Sequence, residues 1–246
     1  KLLISSSSIY PKVHITDKNK KNPLQPPMFC MILRKYLNSS KLINISQLDT
    51  DRVIFLDFQS LNELGFDNIY TLVVEIMGRH SNITLVRKKD ALIMDSIKHI
   101  TPEVNSIRSL FPGIKYIFPP ISNKLNPFCY NREDFKHMLQ NMKFLDNRCF
   151  SKIFTGVSTS FSKEIYYMLC ELKLSQLDIF KESTITVLHG FCTKIFSKFK
   201  NNEFYFAYYM KDGKMKDFYC SKLNYLRDCK EVHYSTPSKL IDDFYY

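Results

Sequence analysis

Two hydrophobic periods alternate along this chain. Between residues 41 and 97 apolar and polar positions trade places with a period near two. The runs 53–58, 70–76, 82–86 and 92–97 are rich in β-branched and aromatic side chains, which predicts strands. Residues 2–5 and 12–16 predict two shorter strands around a serine-rich turn with Pro11, and Lys88-Lys89-Asp90 reads as a hairpin tip. A basic, Asn- and Pro-rich loop over 18–27 ends at Pro27, which suits the opening of a helix because the first turn has no use for its missing N–H. Met28, Ile32 (or Met31), Tyr36 and Leu37 then make an apolar face at helical spacing, with Arg34 and Lys35 at the negative helix end.

Pro102, Pro112, Pro119, Pro120 and Pro127 punctuate an irregular stretch and mark a domain boundary. Beyond it the period becomes helical. Asn131 is placed to cap a helix with Glu133 and Asp134 in its first turn and Phe135, Met138, Leu139 and Met142 inward. Further helices are expected over 149–154 and 183–199. Between them, another begins at Thr159 or Ser160 with Phe161, Ile165, Met168, Leu169 and Leu172 as its apolar face. Strands return at 203–210 and 215–221, flanking Lys211-Asp212-Gly213-Lys214, whose glycine tolerates the positive φ of a hairpin turn. Thr236-Pro237 reads as the N-cap and first residue of a last helix through Leu240 and Phe244. The order β, α, β leaves the helical block either inserted into one β domain or packed beside it.

The 246 residues exceed one typical domain, and 45% hydrophobic content supplies a core. A net charge of +11 and a pI near 9.2 favour polyanionic partners, nucleic acid or an anionic membrane surface, although a solvated Lys-rich surface gives the same number. The seven cysteines are scattered, odd in number and never in C-x-x-C, which argues against zinc and a disulfide framework and fits a reducing cytosol. No apolar run approaches the ~20 residues of a membrane span. The chain opens on Lys1-Leu2-Leu3-Ile4, already strand-like, so its natural N-terminus is expected upstream.

Three segments could carry chemistry. Phe154-Thr155-Gly156-Val157-Ser158 joins two expected helices through a glycine turn, the pattern of a helix-hairpin-helix that offers backbone N–H groups to phosphate. Any tight helix–helix connection with glycine has the same look. Glu75-Ile76-Met77-Gly78-Arg79-His80-Ser81-Asn82 interrupts two strands; Gly78 permits a left-handed turn, and Arg79, His80 and Asn82 offer convergent polar groups. Its bland alternative is a connection pinned by its own side chains, with Glu75 pairing Arg79. Asp51-Arg52 opens a strand, and an Arg fork grips phosphate. The sequence contains no Walker, dinucleotide, nucleophile-elbow or zincin motif, and no pair of its six histidines stands at ligand spacing, so no cofactor or metal is expected.

Longer ordered blocks add a resemblance. Residues 10–16 and 22–31, then Glu75 to Asn82, Asp95-Ser96-Ile97-Lys98-His99, and Phe111-Pro112-Gly113 followed by Pro119-Pro120, strongly resemble the FbpA/RqcH (NFACT) family. The closing run, Leu240 to Tyr246, is similar to that family's approach to its coiled coil. The resemblance implies an α+β fold: an NFACT-N β domain similar to the N-domain of formamidopyrimidine-DNA glycosylases, with an inserted helix-hairpin-helix helical domain. Expected boundaries are 1–127 for the β-rich domain, 128–201 for the helical one, 202–234 for a returning hairpin and 235–246 for the start of the coiled-coil helix.

It further implies a cytoplasmic, non-enzymatic factor. Such a factor binds tRNA, alanyl-tRNA above all, and the obstructed large ribosomal subunit, so that a stalled chain gains a C-terminal alanine tail. Asp51 and Arg52 match a family pair tied to tRNA recruitment, and Glu75, Ile76 and Met77 match a second such segment. Arg79, His80, Ser81, Asn82, Lys98, His99 and Gly156 are the further nucleic-acid contacts expected. The alternative is a fibronectin- or fibrinogen-binding surface adhesin, the family's older name. A catalytic role on nucleic acid is the third option.

Overall fold

The computed structural model describes every residue except 62–64, 66, 121 and 246, so Tyr246 of the expected last helix lies outside the described residues. The chain divides into two compact units, Lys1–Ile121 and Ser122–Tyr246. In the first, β1 (Leu2–Ser5) and β2 (Lys12–Ile15) form an antiparallel pair, followed by helix α1 (Met28–Leu37). Five antiparallel strands then meander in sequence order: β3 (Lys41–Gln47), β4 (Val53–Leu61), β5 (Asp67–Glu75), β6 (Asn82–Arg87) and β7 (Leu92–Ser96).

Alternation along these strands makes two apolar faces. One holds Val53, Val73, Val86 and Ile93 with Leu110 and Tyr116 from the proline-punctuated stretch. The other holds Leu56, Tyr70, Leu72, Val74, Ile83 and Leu85, covered by Phe29, Ile32, Leu33, Tyr36 and Leu37 of α1. The packed stripe of α1 is therefore 29, 32, 33, 36. Met28 and Met31, expected inward, are exposed, because the helix is turned one residue from the expected face. β3 had no strand of its own in the sequence reading: Lys-Leu-Ile-Asn-Ile-Ser-Gln does not alternate cleanly, and all seven residues are exposed.

Asp57 of β4 is buried inside the sheet. Asp57 accepts from the Thr71 hydroxyl at 2.6 Å, the Asn44 amide at 3.2 Å and the Lys88 ammonium at 2.5 Å. Burial alone would raise its pKa, but the hydrogen bonds from Lys88, Thr71 and Asn44 outweigh it and hold the pKa below the ordinary carboxylate value. A folded-state pKa below the unfolded one contributes stability that is present above pH ~4 and lost as pH falls through that range. Urea midpoints are accordingly expected to drop between neutral pH and pH ~3, and Asp57→Asn should flatten that acid limb. An unchanged limb would show that Asp57 does not contribute to it.

The second unit comprises α2 (Arg132–Gln140), α3 (Cys149–Ile153), α4 (Thr159–Glu171) and α5 (Glu182–Lys200). A three-stranded antiparallel sheet of β8 (Phe206–Lys211), β9 (Lys214–Tyr219) and β10 (Lys230–Tyr234) follows, then α6 (Pro237–Tyr245). With no Trp in the chain, Phe rings fill the helical core: Phe135 stacks on Phe154 at 5.9 Å, and Phe154 meets Phe196 edge-on at 4.8 Å. Asn131 caps α2, its side chain accepting from the Asp134 N–H at 2.8 Å, and Phe135 and Leu139 are buried. On α4, Phe161, Ile165 and Leu169 are buried, whereas Leu172 is exposed past the helix end. Asp212 and Gly213 both take positive φ, as the tight turn between β8 and β9 requires. β10 was not foreseen.

Candidate nucleic-acid interface

Register brings the expected residues of the first unit to one end of the five-stranded sheet. Val53 pairs with Glu75, Glu75 pairs with Asn82, and the Ile76 N–H donates to the Arg52 carbonyl at 2.9 Å. The Asp51-Arg52 turn thus lies directly beside Glu75-Ile76-Met77. Lys98 joins from beyond β7, its N–H donating to the Asn82 side-chain oxygen at 3.0 Å. Gly156 belongs to the second unit, where it takes φ +71 in the turn between α3 and α4.

The residues gathered there divide into support and surface. Asp51 organises its own turn: its N–H donates to the Leu48 carbonyl, and its side-chain oxygen accepts from the Arg52 N–H at 2.7 Å. Arg52 is exposed, and no partner for its guanidinium is seen among the described residues. Gly78 takes φ +58 in a 3₁₀ turn, Gly78–His80, that presents Arg79 and His80 outward. Nε of Arg79 donates to Nε2 of His80 at 3.0 Å, which requires that ring nitrogen to be unprotonated. The Ser81 hydroxyl, fully buried, accepts from the Met77 N–H at 2.8 Å and closes the turn.

Several expected contacts face inward. Asn82 is buried; its amide donates to the Lys98 carbonyl at 2.9 Å, and its oxygen also accepts from the Ile83 N–H. The Lys98 ammonium is held by two backbone carbonyls, Ser6 and Ser81, each at 2.8 Å. His99 is more than half exposed, its Nε2 lying 2.7 Å from the buried Asp95 carboxylate. Ile76 and Met77 pack against the two opposite apolar faces of the sheet.

Glu75 does not pair with Arg79. Its carboxylate, 2% exposed, takes both terminal nitrogens of Arg108 at 2.7 Å each and the Tyr116 hydroxyl at 2.9 Å. Arg108 is itself 10% exposed, donates to the Ile117 carbonyl and lies over the Tyr116 ring at 5.0 Å. Burial, and then the Glu75 charge, push the Tyr116 hydroxyl far above its ordinary pKa, so it stays protonated and donates. Sequence reading missed Arg108 and Tyr116. They stand 33 and 41 residues from Glu75, in a stretch with no period to place them, and Arg108 is an ordinary cation between Ile107 and Ser109.

The end of the sheet is therefore a rigid frame carrying exposed cations. Among the described residues no group of three or more His, Cys, Asp or Glu could hold a metal, and no helix is long and apolar enough to cross a membrane. The chain matches the model of the family described as NFACT N-terminal and middle domains over residues 1–246. It belongs to the NFACT family.

Relatives within and around that family are informative. Rqc2 homolog RqcH of Bacillus subtilis (strain 168) is 40% identical over 167 residues, which is 67% of this chain and 29% of that protein. Archaeal Rqc2 homolog aRqcH of Methanocaldococcus jannaschii is 29% identical over 248 residues, 99% of this chain and 35% of that protein. This NFACT chain thus spans 29% to 35% of the length of these relatives. Among solved structures, the fibrinogen binding protein from Staphylococcus aureus matches with TM-score 0.76 and 28% identity, over 99% of this chain and 82% of that one. The N-terminal part of the fibronectin/fibrinogen-binding protein from Streptococcus suis matches with TM-score 0.69 and 30% identity, again over 99% and 82%. The mixed fold with antiparallel sheets is that of NFACT-N.

Proposed function

We propose that this chain is the tRNA- and ribosome-binding part of a cytoplasmic quality-control factor that acts on large ribosomal subunits obstructed by a stalled peptidyl-tRNA. It recruits alanyl-tRNA, and the ribosome itself forms each peptide bond of the alanine tail, so the chain needs no active site of its own. The observation that carries the reading is the convergence of Asp51-Arg52 with residues 75–82 at one sheet end, where Arg52 and Arg79 are exposed on buried supports. Guanidinium groups held this way grip phosphate without reading sequence. The net charge of +11 and relatives named Rqc2 homologs support the same reading.

Within it, the sheet of the first unit corresponds to the glycosylase-like N-domain, and the α3–Gly156–α4 turn to a helix-hairpin-helix. Ser158 already caps α4, accepting from the Phe161 N–H at 3.1 Å, so the phosphate-facing groups would be the N–H groups of the turn itself.

The test is tRNA binding across a salt series, comparing the wild type with Asp51→Ala/Arg52→Ala. Losing one phosphate contact should make the log–log salt slope about one unit shallower and weaken binding across tRNA sequences. A folded double mutant that binds as the wild type does would remove this site. A second reading, a fibronectin- or fibrinogen-binding surface protein, has the solved relatives in its favour. Salt-resistant binding of fibronectin or fibrinogen without tRNA binding would select it.

A further inference from the structure

A pocket of about 440 Å³, within the range of small-ligand sites, opens in the second unit between α4, α5 and the 3₁₀ turn Asn224–Leu226. Positions 164, 167, 168 and 171 of α4 share one face at helical spacing, and that face divides into a support and a lining. Glu164, 1% exposed, is the support. Its two oxygens accept from the Asn224 side-chain amide at 2.7 Å and the Tyr225 N–H at 3.1 Å, which pins the turn against the helix. Tyr167, Met168 and Glu171 line the pocket, with Phe191 from α5 and Arg227 from just beyond the turn. The Arg227 guanidinium carbon lies over the Tyr167 ring at 5.8 Å, and no ion pair joins Arg227 to Glu171 among the described residues.

Aromatic walls, a carboxylate and a cation thus meet in one concave site. Ring faces take the flat face of a base. A carboxylate only accepts, so filling both of its oxygens takes two neighbouring N–H donors. Among the four RNA bases guanine alone carries such donors side by side on its Watson–Crick edge, at N1 and N2. The guanidinium suits the phosphate of the same nucleotide. A lysine or arginine side chain of a peptide would satisfy Glu171 but meet Arg227 with like charge, so the two signs together disfavour it.

We propose that this pocket holds an unpaired guanosine of bound RNA, its base against the Tyr167 and Phe191 rings, its N1–H and N2 amine on Glu171 and a phosphate at Arg227. The choice of RNA over a free nucleotide rests on the RNA-binding reading above. The pocket adds to it the reading of one base, which exposed cations at the end of a sheet do not supply.

The test is binding of the whole chain to a labelled five-residue oligouridine carrying one central guanosine, against the same oligomer with adenosine or inosine there. Guanosine should bind about tenfold tighter than adenosine. Inosine, which lacks the N2 amine, should fall between them. Glu171→Ala, at an exposed position, should bring the guanosine-to-adenosine ratio close to one, whereas Glu203→Ala removes the same charge at an exposed position outside the pocket and should leave it unchanged. Arg227→Ala should weaken all three oligomers alike and make the salt slope about 0.7 unit shallower, the effect of one lost contact on a single strand. A wild-type ratio near one, inosine binding as guanosine does, a ratio that survives Glu171→Ala, or one lost equally in Glu203→Ala would overturn the proposal. Free 5′-GMP binding as tightly as the guanosine oligomer would overturn RNA as the source. The sheet-end site is read separately, from tRNA salt slopes of Asp51→Ala/Arg52→Ala, so either site can fail while the other stands.

Discussion

Arg108→Met is expected to destabilise the first unit by about 3–5 kcal/mol, the cost of leaving a buried carboxylate without its partner. Glu75 is 2% exposed, and Arg108 supplies two of its three side-chain donors. Without the guanidinium, the Tyr116 hydroxyl remains alone against a full charge in a site closed to water. Arg108 also loses its bond to the Ile117 carbonyl and its place over the Tyr116 ring, contacts that methionine replaces only by volume. The double variant Arg108→Met/Glu75→Gln should recover much of the loss, since it removes the stranded charge, and the double-mutant cycle then reports the coupling. Urea denaturation of the four proteins measures it. A single-variant loss below about 1 kcal/mol, the range of an exposed pair, would mean that water screens this ion pair after all.

That ion pair also marks the limit of what the sequence disclosed. Strands with β-branched alternation and helices with a capping Asn were legible because their signals are local: Val73 and Leu72 face opposite ways by pleat, and Asn131 caps Asp134 three residues on. The helix face at Met28 was misread because one residue of rotation separates 28, 32, 36 from 29, 32, 33, 36, and only the packing partner decides between them. The site was legible as a set of segments, 51–52, 75–82 and 98–99, but not as a division of labour. Glu75, Asn82 and Lys98 carry polar groups suited to a ligand, and each spends them inside the fold. The partners that claim them, Arg108, Tyr116 and the Ser6 carbonyl, lie as many as 92 residues away and join through tertiary contacts to which no periodicity points.

Lys98 gives this division a direct test. Lys98→Met is expected to lose about 1.5–3 kcal/mol, because an ammonium bonded to two carbonyls is a charge-assisted donor and its removal strands acceptors. Ser81 is fully buried and Ser6 nearly so, and no water-exposed route compensates the Ser81 carbonyl. The loss is local: it loosens the turn 78–81, which holds Arg79 and His80 outward, and releases the segment near Ser6. If Lys98 acts as this strut, RNA affinity should fall without the shallower salt slope that loss of a phosphate contact produces. If Lys98 instead swings out to touch phosphate, Lys98→Met should flatten the salt slope by about one unit while stability barely changes. Measuring denaturation and the salt slope on the same variant therefore separates a cation that builds the surface from one that belongs to it.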